Sequence, residues 1–144
     1  MADRHTQPEP TAGDAGTVTQ DPEARLRLQC DLREVCAAKG FDLEYQPQID
    51  LRTERVTNFE SLVRWRHPLR GNVPPAEFIP LAEEIGLIVD IGQWVVQRAC
   101  REATDWPQDV GVAVNVSTSQ LKDVAFPAIV AAALSVHPGT GRAS

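Results

Sequence analysis

Apolar residues change their spacing several times along this chain, and each change marks an element. Between Asp21 and Gly40, Leu28, Leu32, Val35 and Cys36 recur at helical spacing. Asp21 suits an N-cap, Pro22 a first turn and Glu23 the positive end of a helix. Lys39-Gly40 closes the helix with a cation and a C-cap glycine. A strand is predicted over roughly Asp42 to Ile49, then a polar turn over Asp50 to Glu54, then a second strand over roughly Val56 to Trp65. So short a connection makes the two strands antiparallel neighbours. The second strand alternates. Phe59, Ser61, Val63 and Trp65 face one way, and Glu60, Leu62 and Arg64 the other.

His67 to Asn72 and Pro74-Pro75 read as a loop. A short helix follows over Ala76 to Glu84, with Phe78, Ile79, Leu81 and Ala82 as apolar positions and Gly86 as its stop. A longer helix spans roughly Leu87 to Trp106. Ile88, Ile91, Val95, Ala99 and Ala103 form its core stripe, Gln97, Arg98, Arg101 and Glu102 face water, and Pro107 ends it. Val110 to Val116 is a near-continuous apolar run, as in a strand covered on both faces. A last helix follows Gln120-Leu121, with Pro127 in its first turn and Phe126, Ile129, Val130, Ala133 and Leu134 on its apolar side. After the opening hairpin each strand feeds a helix, which is the winding of a parallel α/β fold.

Residues 1–20 are rich in Pro, Gly, Thr and acid and are predicted to be a disordered tail. Residues 21–136 form the folded unit, and 137–144 are a polar, turn-like tail. At 144 residues the chain makes one domain of ordinary size. A net charge of -6 and a pI near 5.0 argue against a nucleic-acid polymer as partner, because such binders show a basic face. A small anionic ligand stays compatible, since a few placed cations or a metal override the global charge. The three cysteines, Cys30, Cys36 and Cys100, include no C-x-x-C pair. They indicate neither a disulfide framework nor a zinc site, read as small buried apolar groups, and fit a reducing cytoplasm. No leader peptide and no membrane span is expected.

The chemistry concentrates on the second strand. Glu60 and Arg64 share a face with Leu62 between them, so that face cannot be a dry core. It is either an amphipathic strand with a surface ion pair or the wall of a pocket for a metal and a phosphate.

Several blocks, in order, carry a resemblance. Phe41-Asp42-Leu43-Glu44-Tyr45-Gln46-Pro47-Gln48-Ile49-Asp50-Leu51 resembles the opening strand of EAL domains, bacterial phosphodiesterases that open cyclic di-GMP. Glu60-Ser61-Leu62-Val63-Arg64-Trp65-Arg66-His67-Pro68 resembles their signature, usually Glu-Ala-Leu followed by Arg-Trp, with Ser61 in place of the Ala. Pro75 to Glu84 and Val114-Asn115-Val116-Ser117 match further blocks, and the likeness covers about Arg25 to Leu134. The resemblance implies a modified (β/α)8 barrel whose first strand runs antiparallel to the rest, of which this chain would hold about three strands. Complete barrels need about 250 residues.

The resemblance further implies Glu60 as a carboxylate ligand and Asn115 as a carbonyl ligand of Mg²⁺ or Mn²⁺. It implies Arg64 at the dinucleotide phosphates, Gln46 at a ligand polar group and Leu62 against a base or sugar. Read without it, Glu60 is a surface acid, Asn115 a capping or turn residue, Arg64 a partner for Glu60, and Gln46 a satisfied strand-end amide. His67 reads as structural, and Trp65 and Trp94 as packing residues. The family's later acidic ligand, its Asp-Asp-Phe-Gly block and its later lysine and glutamate have no counterpart in the sequence. The chain is therefore expected to be a truncated domain, catalytically inactive alone, with the tail from His137 suggesting a frame change. The alternative is a non-catalytic module binding cyclic di-GMP or a protein partner. Three barrel strands leave open edges, so self-association or a protein partner at the sheet edge is also expected.

Overall fold

A computed structural model of the chain describes residues 21–135, so the tails expected at 1–20 and 137–144 lie outside the described residues. Helix α1 spans Pro22–Ala38, with the Asp21 side chain accepting from the Glu23 N–H as N-cap. Its buried stripe is Leu28 and Leu32, with Val35 and Cys36 partly covered. Cys30 is exposed, against expectation, because two residues from Leu28 places it well round the helix from that stripe. The helix closes in a Schellman motif: Gly40 N–H donates to Val35 O and Lys39 N–H to Cys36 O. The left-handed residue is Lys39, at φ 52°, rather than Gly40. Gly40 is needed for room instead, since a Cβ there would lie 3.1 Å from Val35 Cγ2.

Strands β1 (Asp42–Asp50) and β2 (Arg55–His67) form the predicted antiparallel hairpin, with Tyr45 opposite Ser61 and Gln46 opposite Glu60. A third, three-residue strand, β3 (Gly71–Val73), pairs with the end of β2 where a loop was expected. Helices α2 (Pro75–Glu84) and α3 (Ile88–Ala103) follow, and all five expected core positions of α3 are buried. Strand β4 is shorter than expected, Gly111–Val114, and runs parallel to β2 through Asn58 to Ser61. Its four residues are half-buried rather than covered on both faces, because β2 is its one partner strand among the described residues. Two helices follow, α4 (Thr118–Leu121) and α5 (Phe126–Ser135).

The sheet is open. β1 is antiparallel to β2 and β4 is parallel to it, as in the first strands of a barrel with a reversed opening strand. The two faces have different chemistry. Leu43, Val63 and Trp65 turn toward the helices, where Trp65 meets Phe78 and Phe41 stacks on Phe78 at 5.8 Å. Trp94 also packs here, 6.0 Å from Phe41, so both tryptophans are packing residues, Trp65 buried and Trp94 partly so. Glu44, Gln46, Glu60, Leu62 and Arg64 lie on the opposite face of the sheet, by strict alternation along the paired strands. Among the described residues no helix is long and apolar enough to cross a membrane.

Candidate functional site

The polar face of the sheet gathers most of the residues singled out in the sequence. Gln46 on β1 is the direct cross-strand neighbour of Glu60 on β2. Glu60 in turn lies opposite Ala113 on β4. Two residues further along, Asn115 leaves the end of β4 on the same face and donates from Nδ2 to Glu60 Oε1 at 2.8 Å. Glu60 lies midway along β2 rather than at its end, because β2 runs on into the β3 hairpin. The parallel pairing with β4 does stop at Ser61, so Glu60 stands at the C-terminal limit of the parallel part of the sheet. Asn115 is not a cap: Ser117 fills that role for α4, which leaves the Asn115 amide to Glu60.

Arg64 does not pair with Glu60. Its Nε donates to Glu44 Oε2 at 2.9 Å, a diagonal contact across the hairpin. Glu44 also lies 3.5 Å from Arg66, and the Arg64 hydrogen bond holds its exposed carboxyl below the usual carboxylate range. The guanidinium of Arg64 keeps its other nitrogens for a second acceptor. His67 is structural: Nδ1 accepts the backbone N–H groups of Leu69 and Arg70 at 3.1 and 3.0 Å, and Nε2 lies 3.4 Å from Asp31.

A cavity of about 330 Å³ opens beside this face, where β2 and the end of β4 separate. Ser61, Leu62, Val63 and Arg64 line it from β2, Asn115 and Ser117 from the turn after β4, and Ile79 and Ile91 from the helices. Its remaining wall includes Gln120, which is 2% exposed. Sequence reasoning passed over Gln120, although Ser117-Thr118-Ser119-Gln120 has the spacing of a capping box. It also passed over Glu44, which alternation places on the site face.

The donor set can be weighed against a metal. Mg²⁺ favours six oxygen donors in near-octahedral geometry, with charge from carboxylates. The Glu60 and Asn115 pair offers one carboxylate and one amide oxygen. Among the described residues no group of three or more His, Cys, Asp or Glu is placed to hold a metal ion. These residues do not fit a pair of divalent ions by themselves.

A second cluster sits on the opposite face. Tyr45 donates to Glu102, which also accepts from Arg98 Nε at 2.6 Å, and Tyr45 meets the Trp106 ring at 4.9 Å. Arg98 and Glu102 are therefore half-buried and tied to β1, rather than a solvated helix face.

Comparison with known proteins gives a consistent result. A family model described as the EAL domain matches residues 29–142. The chain is 46% identical over 118 residues to an uncharacterised protein, y4lL, of Sinorhizobium fredii, covering 77% of this chain and 14% of that one. It is 45% identical over 91 residues to the cyclic di-GMP phosphodiesterase PA2567 of Pseudomonas aeruginosa, covering 61% of this chain and 16% of that one. The fold superposes on the MucR phosphodiesterase of Pseudomonas aeruginosa, solved in complex with c-di-GMP, with a TM-score of 0.74 and 37% identity. That match covers 78% of this chain and 47% of the solved one. The chain thus spans about a seventh of these curated relatives' length (14% and 16%) and under half of the solved chain.

Proposed function

The chain belongs to the EAL domain family, and from that premise we propose that it forms the opening part of a cyclic di-GMP site without completing the catalytic one. The family hydrolyses cyclic di-GMP to linear pGpG with Mg²⁺ or Mn²⁺. In this proposal Glu60 and Asn115 are one side of a metal site. Arg64 addresses a ligand phosphate with its planar fork of donors, Gln46 a polar group, and Leu62 a base or sugar face. The observation that carries the reading is the Asn115 Nδ2 to Glu60 Oε1 contact of 2.8 Å at the limit of the parallel sheet. It brings together two residues 55 positions apart, and barrel active sites form at that end of the strands.

The same site explains why the 144 residues alone are proposed to be inactive. Two-metal hydrolysis holds a pair of ions about 3.5–4 Å apart to clamp the attacking and leaving oxygens. One carboxylate cannot offset the dehydration of two such ions, so no bound water is made acidic enough to attack. The test is a phosphodiesterase assay on the purified chain with Mg²⁺ or Mn²⁺ in excess, run beside a circular-dichroism melt and calorimetry with cyclic di-GMP. A folded chain with no pGpG is the expected result. Metal-dependent turnover would overturn the proposal. Heat of binding without turnover would favour the module reading, which the exposed polar face supports.

A further inference from the structure

Besides its own contact with Glu60, Asn115 is carried on a corner of the chain that has hydrogen bonds of its own. It is the residue after β4, and the chain turns through Val116 into α4 at Ser117. That corner is locked by a reciprocal capping box. Ser117 N–H donates to Gln120 Oε1 at 2.8 Å, and Gln120 N–H donates to Ser117 Oγ at 3.2 Å. The orientation of the Gln120 amide follows, because the Ser117 N–H needs an acceptor and only the oxygen can serve. Nε2 then points the other way, and it has no hydrogen-bond partner among the described residues.

The lock is seated on α3. Gly92 lies inside that helix, where glycine is costly relative to alanine. A Cβ at position 92 would stand 1.3 Å from Gln120 Nε2 and 2.5 Å from its Cδ. The missing side chain is the space that the Gln120 amide occupies. Gln120 thus joins the corner that carries Asn115 to the best-buried helix of the fold.

We propose that Gln120, seated on Gly92, is a positioning residue that sets Asn115 against Glu60. The proposal rests on reading Asn115 and Glu60 as a ligand pair, but its test needs neither metal nor ligand. In the unmodified chain the Ser117 backbone amide is expected to exchange slowly with solvent, and the Asn115 side-chain amide to show a distinct, hydrogen-bonded NMR signal. Gln120→Met keeps the packing on Gly92 and removes the acceptor. Gly92→Ala keeps the acceptor and removes the seat. Each is expected to move the Asn115 side-chain amide signal and speed its exchange at least tenfold, at a temperature where far-ultraviolet circular dichroism is unchanged.

A role limited to capping α4 would lower the melting temperature and leave the Asn115 signal in place, which would overturn the proposal. Fast exchange at Ser117 in the unmodified chain would overturn it without any variant. Failure of the functional reading looks different: a cyclic di-GMP titration would perturb no signal on the polar face, while the Asn115 signal still answered to both substitutions.

Discussion

Tyr45 is the single tyrosine of the chain, so its hydroxyl can be followed alone. Burial among Trp106 and neighbouring groups pushes its phenol well above the ordinary value of 10.0, and the hydrogen bond to Glu102 adds to that. A raised folded pKa means that the fold favours the protonated phenol. The resulting stability is fully present below about pH 10 and is lost as pH rises beyond it. Burial alone would raise Glu102 as well. Hydrogen bonds from Tyr45 and Arg98 outweigh it, and the carboxyl sits below the usual range. Tyr45→Phe is expected to cost about 1.5–3 kcal/mol in a urea melt at neutral pH, the worth of a hydrogen bond to a charged group. It should also flatten the decline in stability above pH 10. Phenolate absorbance rising near pH 10 in the folded wild-type chain would contradict this. The residues of the candidate site differ in how far the sequence disclosed their place on the sheet. Glu60, Leu62 and Arg64 were legible from alternation. The Glu44 partner of Arg64 was not, because a diagonal contact depends on cross-strand register, which a single sequence does not state.

Among the elements, those with a long period were readable and those set by a partner were not. The α3 stripe repeats over four turns and came out as expected. β3 is three residues held by pairing with the end of β2 and by the buried Val73, and no periodicity fits in so short a piece. β4 was overestimated at both ends because an apolar run says nothing about where its neighbour stops, and β2 contacts it over four residues. The α1 terminus shows the same limit. Lys39-Gly40 signalled a stop, but the glycine was assigned the left-handed place that the lysine occupies. That conformation costs an L-residue about 1–2 kcal/mol, while a glycine brings an entropic cost of about 0.5–1 kcal/mol. Lys39→Gly is therefore expected to stabilise the chain by about 0.5–1 kcal/mol and to raise the melting temperature. Gly40→Ala should lower it, since the added methyl crowds Val35. Equal effects from the two substitutions in circular-dichroism melts would contradict this account of the cap.

For the molecule as a whole, the sheet edges left open among the described residues are expected to govern association in solution. Backbone groups on the free edges of β1 and β4 have no strand partner among the described residues, and such edges pair readily with another chain. The polar face beside them carries Glu44, Arg64, Glu60 and Asn115 in paired contacts, which favours hydration over collapse. The edge of β4 is different: Gly111, Val112, Ala113 and Val114 bear no charge, so the shortness of the strand is its one guard against pairing among these residues. Net repulsion at -6 opposes association but is screened beyond about 8–10 Å at physiological salt, farther than the reach of strand pairing. Edge pairing should therefore win as concentration and salt rise. Sedimentation velocity on the purified chain is expected to show a weight-average mass that grows with concentration, and more steeply in higher salt. Ala113→Lys sets a charge on the β4 edge and should shift the distribution back toward monomer. If the wild-type chain stays monomeric across the whole concentration range in high salt, or the lysine changes nothing, the exposed β4 edge is not what drives association.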